Sequence, residues 1–246
     1  MIGEYSAIPA SVFEDCRKSL ISGTEKAMSS PPGPPRFSAV VFDFGDTLFH
    51  SPNGAEALVE AGLDRDRAQR LWDELWIASK TAEELAKGRD RSAELHRGAW
   101  LDLLGRLEPY APGIAEHLYD NVIHADAWEP YPDALGVLRA LCDRGVRVGV
   151  LSNIASSLRP LFERHGLAPY VEAYVESFRH GREKPDPALF QAVCGDLRVA
   201  PAAALMVGDS HLADGAAVLT GMTVLLLPPV PPRTPRGLAR VLDLVR

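Results

Sequence analysis

Ala39-Val40-Val41-Phe42-Asp43-Phe44-Gly45-Asp46-Thr47-Leu48 is the stretch that decides the fold of this chain. Four consecutive apolar residues stop abruptly at a carboxylate and a glycine. A short apolar run without alternation is the pattern of a strand buried on both faces, and such strands belong to parallel sheets covered by helices. Downstream the same signature recurs. Residues 146–151 form a second apolar run, preceded by helical periodicity over 133–143 that Gly145 can terminate. Ala173-Tyr174-Val175, Leu205-Met206-Val207 and residues 223–227 supply three more. Helical segments lie between them, among them residues 156–165 with Gly166 behind. Strands alternating with helices predict right-handed crossovers and a parallel α/β sheet.

The interval between the first two strands has another character. Residues 54–125 carry helical periodicity without a convincing strand, with Leu71, Leu75 and Trp76 on one stripe and Leu95, Trp100 and Leu104 on another. Gly88-Arg89-Asp90 reads as a break between helices. The division expected is therefore a helical insertion over 54–125, acting as a lid, and a core made of 38–53 and 126–246. Residues 1–37 stand apart: a helical pattern from Ser11 to Met28 precedes a Pro-rich linker.

Composition narrows the function. The 246 residues are 46% hydrophobic and 24% charged, ordinary for a globular protein. A net charge of -7 gives no electrostatic footprint for nucleic acid or an anionic membrane. Three scattered cysteines fit no metal or redox spacing, and no apolar run is long enough to span a bilayer. A cytoplasmic protein of unknown oligomeric state is expected.

Ligands of parallel α/β sheets bind beyond the carboxyl ends of the strands. Those ends carry Asp43 and Asp46 after the first strand, and Ser152-Asn153 after the second. Lys184, within Lys184-Pro185-Asp186-Pro187, comes beyond the third, and Gly208-Asp209 with Asp214 after the fourth. Crowded carboxylates must take up protons or share a cation, and an all-oxygen set suits Mg²⁺ together with a phosphate. A carboxylate beside the metal can attack phosphorus, and an ammonium and a hydroxyl can hold the remaining oxygens. The constellation points to phosphoryl transfer from a small phosphorylated metabolite.

These four ordered motifs resemble the haloacid dehalogenase-like hydrolase superfamily across residues 38–228. The resemblance implies a Rossmann-like parallel sheet core with an inserted helical cap. It implies Asp43 as nucleophile, and Ser152, Asn153 and Lys184 holding the transferring group. It further implies Asp43, the Gly45 carbonyl and Asp209 as metal ligands, with Asp214 supporting them. One departure stands out: most phosphatases of this superfamily carry an acid/base Asp two residues after the nucleophile, where this chain has Gly45. Either Asp46 takes over, or His50 or a cap residue supplies the proton, or the substrate has an activated leaving group that needs little protonation. Two other classes share the fold. Dehalogenases also lack that acid, but they use no Mg²⁺ and lack the acidic pair that Asp209 and Asp214 form; a non-catalytic interaction protein would not need Asp43, Lys184 and Asp209 together.

Around the site, Arg179 and His180 read as extra anion contacts or solvated residues, while Arg89, Arg91 and His96 read as an exposed helix face. His211 reads as a local hydrogen-bonding residue, and Trp72, Trp76 and Trp100 as core of the insertion. Asp214 reads either as support for the metal site or as an N-cap of the helix that follows it, two compatible roles.

Overall fold

A computed structural model describes residues 36–231 and 233–245. The expected N-terminal helix and Pro-rich linker lie outside the described residues. Among the described residues seven strands are formed: β1 (Ala39–Phe42), β2 (Phe49–His50), β3 (Glu129–Pro130), β4 (Arg147–Ser152), β5 (Ala173–Glu176), β6 (Ala204–Gly208) and β7 (Thr223–Leu226). Five make one parallel sheet in the order β5-β4-β1-β6-β7, with β1 at its centre. The register pairs Phe42 with Val150 on one side and Val207 on the other. Asp43, one residue further, therefore emerges at the carboxyl rim, its N–H donating to the Val207 carbonyl at 2.9 Å.

Alternate side chains of each strand point to opposite faces. Val40, Phe42, Val148, Val150, Leu205 and Val207 share one buried cluster with helices α6 (Ala134–Asp143), α7 (Arg159–Arg164) and α10 (Ala239–Leu244). Val41, Leu151, Val175 and Met206 share the other with α9 (Pro187–Asp196), which follows the short α8 (Ser177–His180). Both faces are covered, as a continuous apolar run requires.

The insertion consists of α1 (Gly54–Glu60), α2 (Arg65–Ala78), α3 (Ala82–Ala86), α4 (Ala93–Leu104) and α5 (Ile114–Leu118), with no strand among them. Asn53, Asp64, Thr81 and Ser92 cap four of these helices through side-chain oxygens. The segment encloses a cluster of its own around Leu58, Trp72, Leu75, Trp100, Leu103 and Leu118. Leu95 departs from the expected stripe and points outward, 49% exposed. Gly88 adopts φ +64°, a left-handed turn that breaks the helical run before a single 3-10 turn at Arg89–Arg91.

Two local readings need correction, and one feature left no signal in the sequence. The segment expected as helix over 156–165 is helical only from Arg159 to Arg164, because the Leu158 N–H donates instead to the buried Glu176 carboxylate at 2.6 Å. Residues Asp214–Thr220 form a 3-10 rather than an α-helix, and Ala213 takes the N-cap position expected of Asp214. Finally, the antiparallel pairing of β2 with β3 ties the two ends of the insertion together. Two-residue strands leave no periodic signal in a sequence.

Candidate active site

Lys184 stands at the centre of the carboxyl rim, with its side chain buried. Its Nζ donates to Asp43 Oδ1 at 2.7 Å, to Asp214 Oδ1 at 2.6 Å and to the Leu151 carbonyl at 3.0 Å. Asn153 fixes the lysine backbone from both sides: its Nδ2 donates to the Lys184 carbonyl and its Oδ1 accepts from the Lys184 N–H. The Asn153 amide is thus occupied by protein rather than aimed at a ligand. Ser152 is buried beside it at the end of β4, its Oγ 3.4 Å from the Asn153 carbonyl.

Asp214 is fully buried and has both oxygens engaged. Oδ1 meets Lys184, and Oδ2 accepts the N–H groups of Asp209 and Ser210 at 3.2 and 3.0 Å. The carboxylate therefore caps the loop before it and aligns Asp209. Gly208 makes this possible, because a Cβ there would stand 2.1 Å from Asp214 Oδ2.

Asp43, Asp209 and Asp214 each bring an oxygen within 4.8 Å of the others. Burial pushes the Asp43 carboxyl up to about 8, with Asp214 and Asp209 adding to the push and Lys184 opposing it. Asp209 is raised too, by burial first and then by Asp46 and Asp214. Burial works against the Lys184 ammonium, yet Asp214 and Asp43 together outweigh it and hold the group above its ordinary value. Three carboxyl groups face one ammonium, and the raised pair holds protons unless a further cation joins them. The donor set is all oxygen and fits a small hard divalent ion such as Mg²⁺, whose charge would lower both raised carboxyls.

Asp46 lies on the other side of Gly45, at φ +52°. It lines a cavity of about 570 Å³ with Asp209, His50, Trp72, Trp76 and Tyr131. Lys80, just beyond α2, reaches from the insertion to within 3.3 Å of Asp46 Oδ2. Gly45 leaves little space for a side chain: a Cβ would stand 3.0 Å from the Trp128 ring, which would have to give by a few tenths of an ångström and which stacks on Phe44 at 5.3 Å between centroids.

The flanking residues divide. Arg179 is paired with the buried Glu176, while His180 and His211 are exposed. The expectation of an exposed face at Arg89, Arg91 and His96 holds only for Arg91. Arg89 donates to the Ser79 carbonyl at 2.9 Å and covers the Trp100 ring, and His96 is buried with Nδ1 2.9 Å from the Tyr119 hydroxyl. These residues surround a contact between the insertion and the core. The Asp90 N–H donates to Glu183 Oε1 at 2.7 Å, and Ser177 Oγ donates to the Asp90 carbonyl at 2.6 Å. Trp72 and Trp100 are buried in the insertion, and Trp76 stacks between them.

Lys80, Trp128, Glu183 and Arg236 were not among the residues the sequence singled out. Each acts through a partner dozens of residues away, and a lone Lys or Arg in a polar segment carries no local signal.

A family model described as haloacid dehalogenase-like hydrolase matches residues 37–218. The chain is 34% identical over 202 residues to a phosphoglycolate phosphatase of Rhodospirillum rubrum, covering 77% of this chain and 78% of that protein. It is 31% identical over 185 residues to a glyceraldehyde 3-phosphate phosphatase of Methanopyrus kandleri, covering 70% and 75%. The structure of L-2-haloacid dehalogenase from Xanthobacter autotrophicus is 26% identical and superposes with a TM-score of 0.59, over 84% of this chain and 82% of that one.

Proposed function

The chain belongs to the haloacid dehalogenase-like hydrolase family, and from that premise we propose that it is a Mg²⁺-dependent phosphatase acting on a small phosphorylated metabolite. One observation carries this reading. Lys184 bridges Asp43 and Asp214 at 2.7 and 2.6 Å beside Asp209, so a nucleophile, a phosphate-binding cation and a metal-binding pair share one rim. The acidic pair Asp209 and Asp214, together with relatives named as phosphatases, favours phosphate over halide chemistry.

Mg²⁺, held by Asp43, the Gly45 carbonyl and Asp209 with Asp214 behind them, would supply neutralisation of charge on the phosphoryl oxygens. Lys184 and Ser152 orient those oxygens, and Asn153 serves by holding the Lys184 backbone in place. Asp43 attacks phosphorus through a carboxylate oxygen, forming a P–O bond as the bond to the leaving oxygen breaks. Asp46 donates a proton to that oxygen. As a carboxylate it then takes a proton from water, whose oxygen attacks phosphorus and frees phosphate and Asp43. The helical insertion acts as a cap that excludes bulk water, and the cavity along Trp72, Trp76 and Tyr131 takes the organic part of the substrate.

A panel of phosphorylated metabolites assayed with Mg²⁺ and then with excess chelator tests the reading. Phosphate release that chelator stops and Asp43→Asn abolishes is expected. Turnover of a 2-haloacid in chelator, without phosphatase activity, would establish the dehalogenase instead. A panel spanning sugar 1-phosphates and 6-phosphates reports on the acid: with Asp46 as donor both are turned over, whereas an enzyme lacking a donor favours the anomeric ester.

A further inference from the structure

Arg236 is the largest side chain that is fully buried in the described protein. Its Nε donates to the Asp46 carbonyl at 2.6 Å, its Nη2 to the Leu227 carbonyl at 3.1 Å, and its Nη1 to the Pro228 carbonyl. Among the described residues no carboxylate stands within ion-pairing distance of the guanidinium, whose nearest aromatic neighbour is the Tyr131 ring at 5.7 Å. A buried cation held only by carbonyl oxygens carries a desolvation cost that ordinary packing does not require. The backbone around it is secured in turn. Asp133, at the start of α6, accepts the N–H groups of Arg236, Gly237 and Leu238 at 2.8 to 2.9 Å.

We propose that Arg236 is a positioning residue for the general acid: it holds the Asp46 peptide in its left-handed conformation and so keeps that carboxyl facing the cavity beside Asp209. This rests on Asp46 being the acid of the proposed phosphatase. At φ +52° a residue with a Cβ is strained, and such strain persists only where surrounding bonds over-determine it. The guanidinium supplies that bond at the Asp46 carbonyl. It also anchors the same peptide to the chain leaving β7, where the Leu227 N–H donates to the Gly208 carbonyl at 2.8 Å. The acid's loop is thereby tied to the metal-binding loop. With Gly45 crowded by Trp128 and the carboxylate one residue along at a positive φ, an acid at Asp46 calls for a brace that one at position 45 would not.

The test compares Arg236→Met, Arg236→Lys and Asp46→Asn in the full chain. Substrates are a primary-alkyl phosphate, whose leaving group needs a proton, and p-nitrophenyl phosphate, whose leaving group does not. Arg236→Met is expected to lower kcat for the alkyl ester by about 10² more than for the aryl ester, within the range that general acid catalysis is worth. Asp46→Asn is expected to show the same selectivity, the double variant to lose no more than the worse single one, and Arg236→Lys to recover part of the loss. A general loss of folded enzyme would lower both esters in parallel, and parallel losses or additive single effects overturn the proposal. Amide hydrogen exchange over residues 43–50 gives a readout independent of turnover. It should quicken at least tenfold in Arg236→Met relative to the rest of the sheet, and unchanged exchange overturns the brace even if the wild type hydrolyses neither ester. Failure of the wild type on both esters would count against the phosphatase reading itself, while the exchange measurement still decides the role of Arg236.

Discussion

Two glycines set the chemistry of the rim, and both act by making room. Gly208 lets Asp214 lie over the backbone, where one carboxylate serves Lys184 and two amides at once. Gly45 instead yields its space to the Trp128 indole, which is held by a hydrogen bond from Nε1 to the Val122 carbonyl at 3.0 Å. An aspartate placed at 45 must push that ring away. Gly45→Asp is therefore expected to lower stability by about 1–3 kcal/mol, the usual cost of overpacking, without raising turnover. Trp128→Leu in the same chain should recover most of the lost stability. Thermal melting and kcat for both variants check this; a fully stable and faster Gly45→Asp enzyme would show that the ring is no obstacle.

At the scale of elements, the insertion meets the core through a buried group of ionisable side chains. Burial pushes the Asp90 carboxyl up to about 7, with Arg89 and Lys184 opposing and Glu183 adding to the rise. Burial also holds His96 down at about 4, with the Arg89 guanidinium adding to the push. The folded protein keeps the Asp90 proton between about pH 4 and pH 7, where the unfolded chain has released it, so this group costs stability as pH rises through that window. His96 acts in the opposite direction, costing stability as pH falls from 6.5 toward 4. Asp90→Asn preserves both backbone hydrogen bonds to the core and removes only the carboxyl. Its Tm should rise by a few degrees at pH 8 and remain unchanged at pH 4, one kcal/mol being worth about 2–4 °C in a chain of this size. A Tm gain that does not depend on pH would refute the assignment. Much of this level was legible beforehand: the five apolar runs became the five parallel strands, the central ones because burial on both faces leaves a continuous pattern, whereas the edge strand β7 keeps its apolar run half-exposed. The convergence of Asp43, Lys184, Asp209 and Asp214 was legible for the same reason, since each follows a strand. Asp90 with Glu183, and Arg236 with Asp46, were not. They are single polar contacts between residues 93 and 190 positions apart, and no period in either segment records them.

For the molecule as a whole, the insertion meets the core at two places near the site, Lys80 on Asp46 and the Asp90 loop on Glu183 and Ser177. The Lys80–Asp46 pair is open to water, with side-chain exposures of 51% and 33%, so it contributes about 0–1 kcal/mol to stability. Lys80→Met is expected to leave Tm within about 2 °C while raising KM for an anionic substrate several-fold. KM of the wild type is expected to rise with salt and that of Lys80→Met to rise less, since screening acts mainly on exposed charges. A variant that loses much of its Tm, or keeps its KM, would show the lysine to be structural. The second contact is of another kind. Any movement that parts insertion from core must break the Asp90 bond to Glu183, the residue immediately before Lys184. On the proposed reading, admission of a substrate and the setting of Lys184 share this joint, and a mutation that loosens the one is expected to disturb the other.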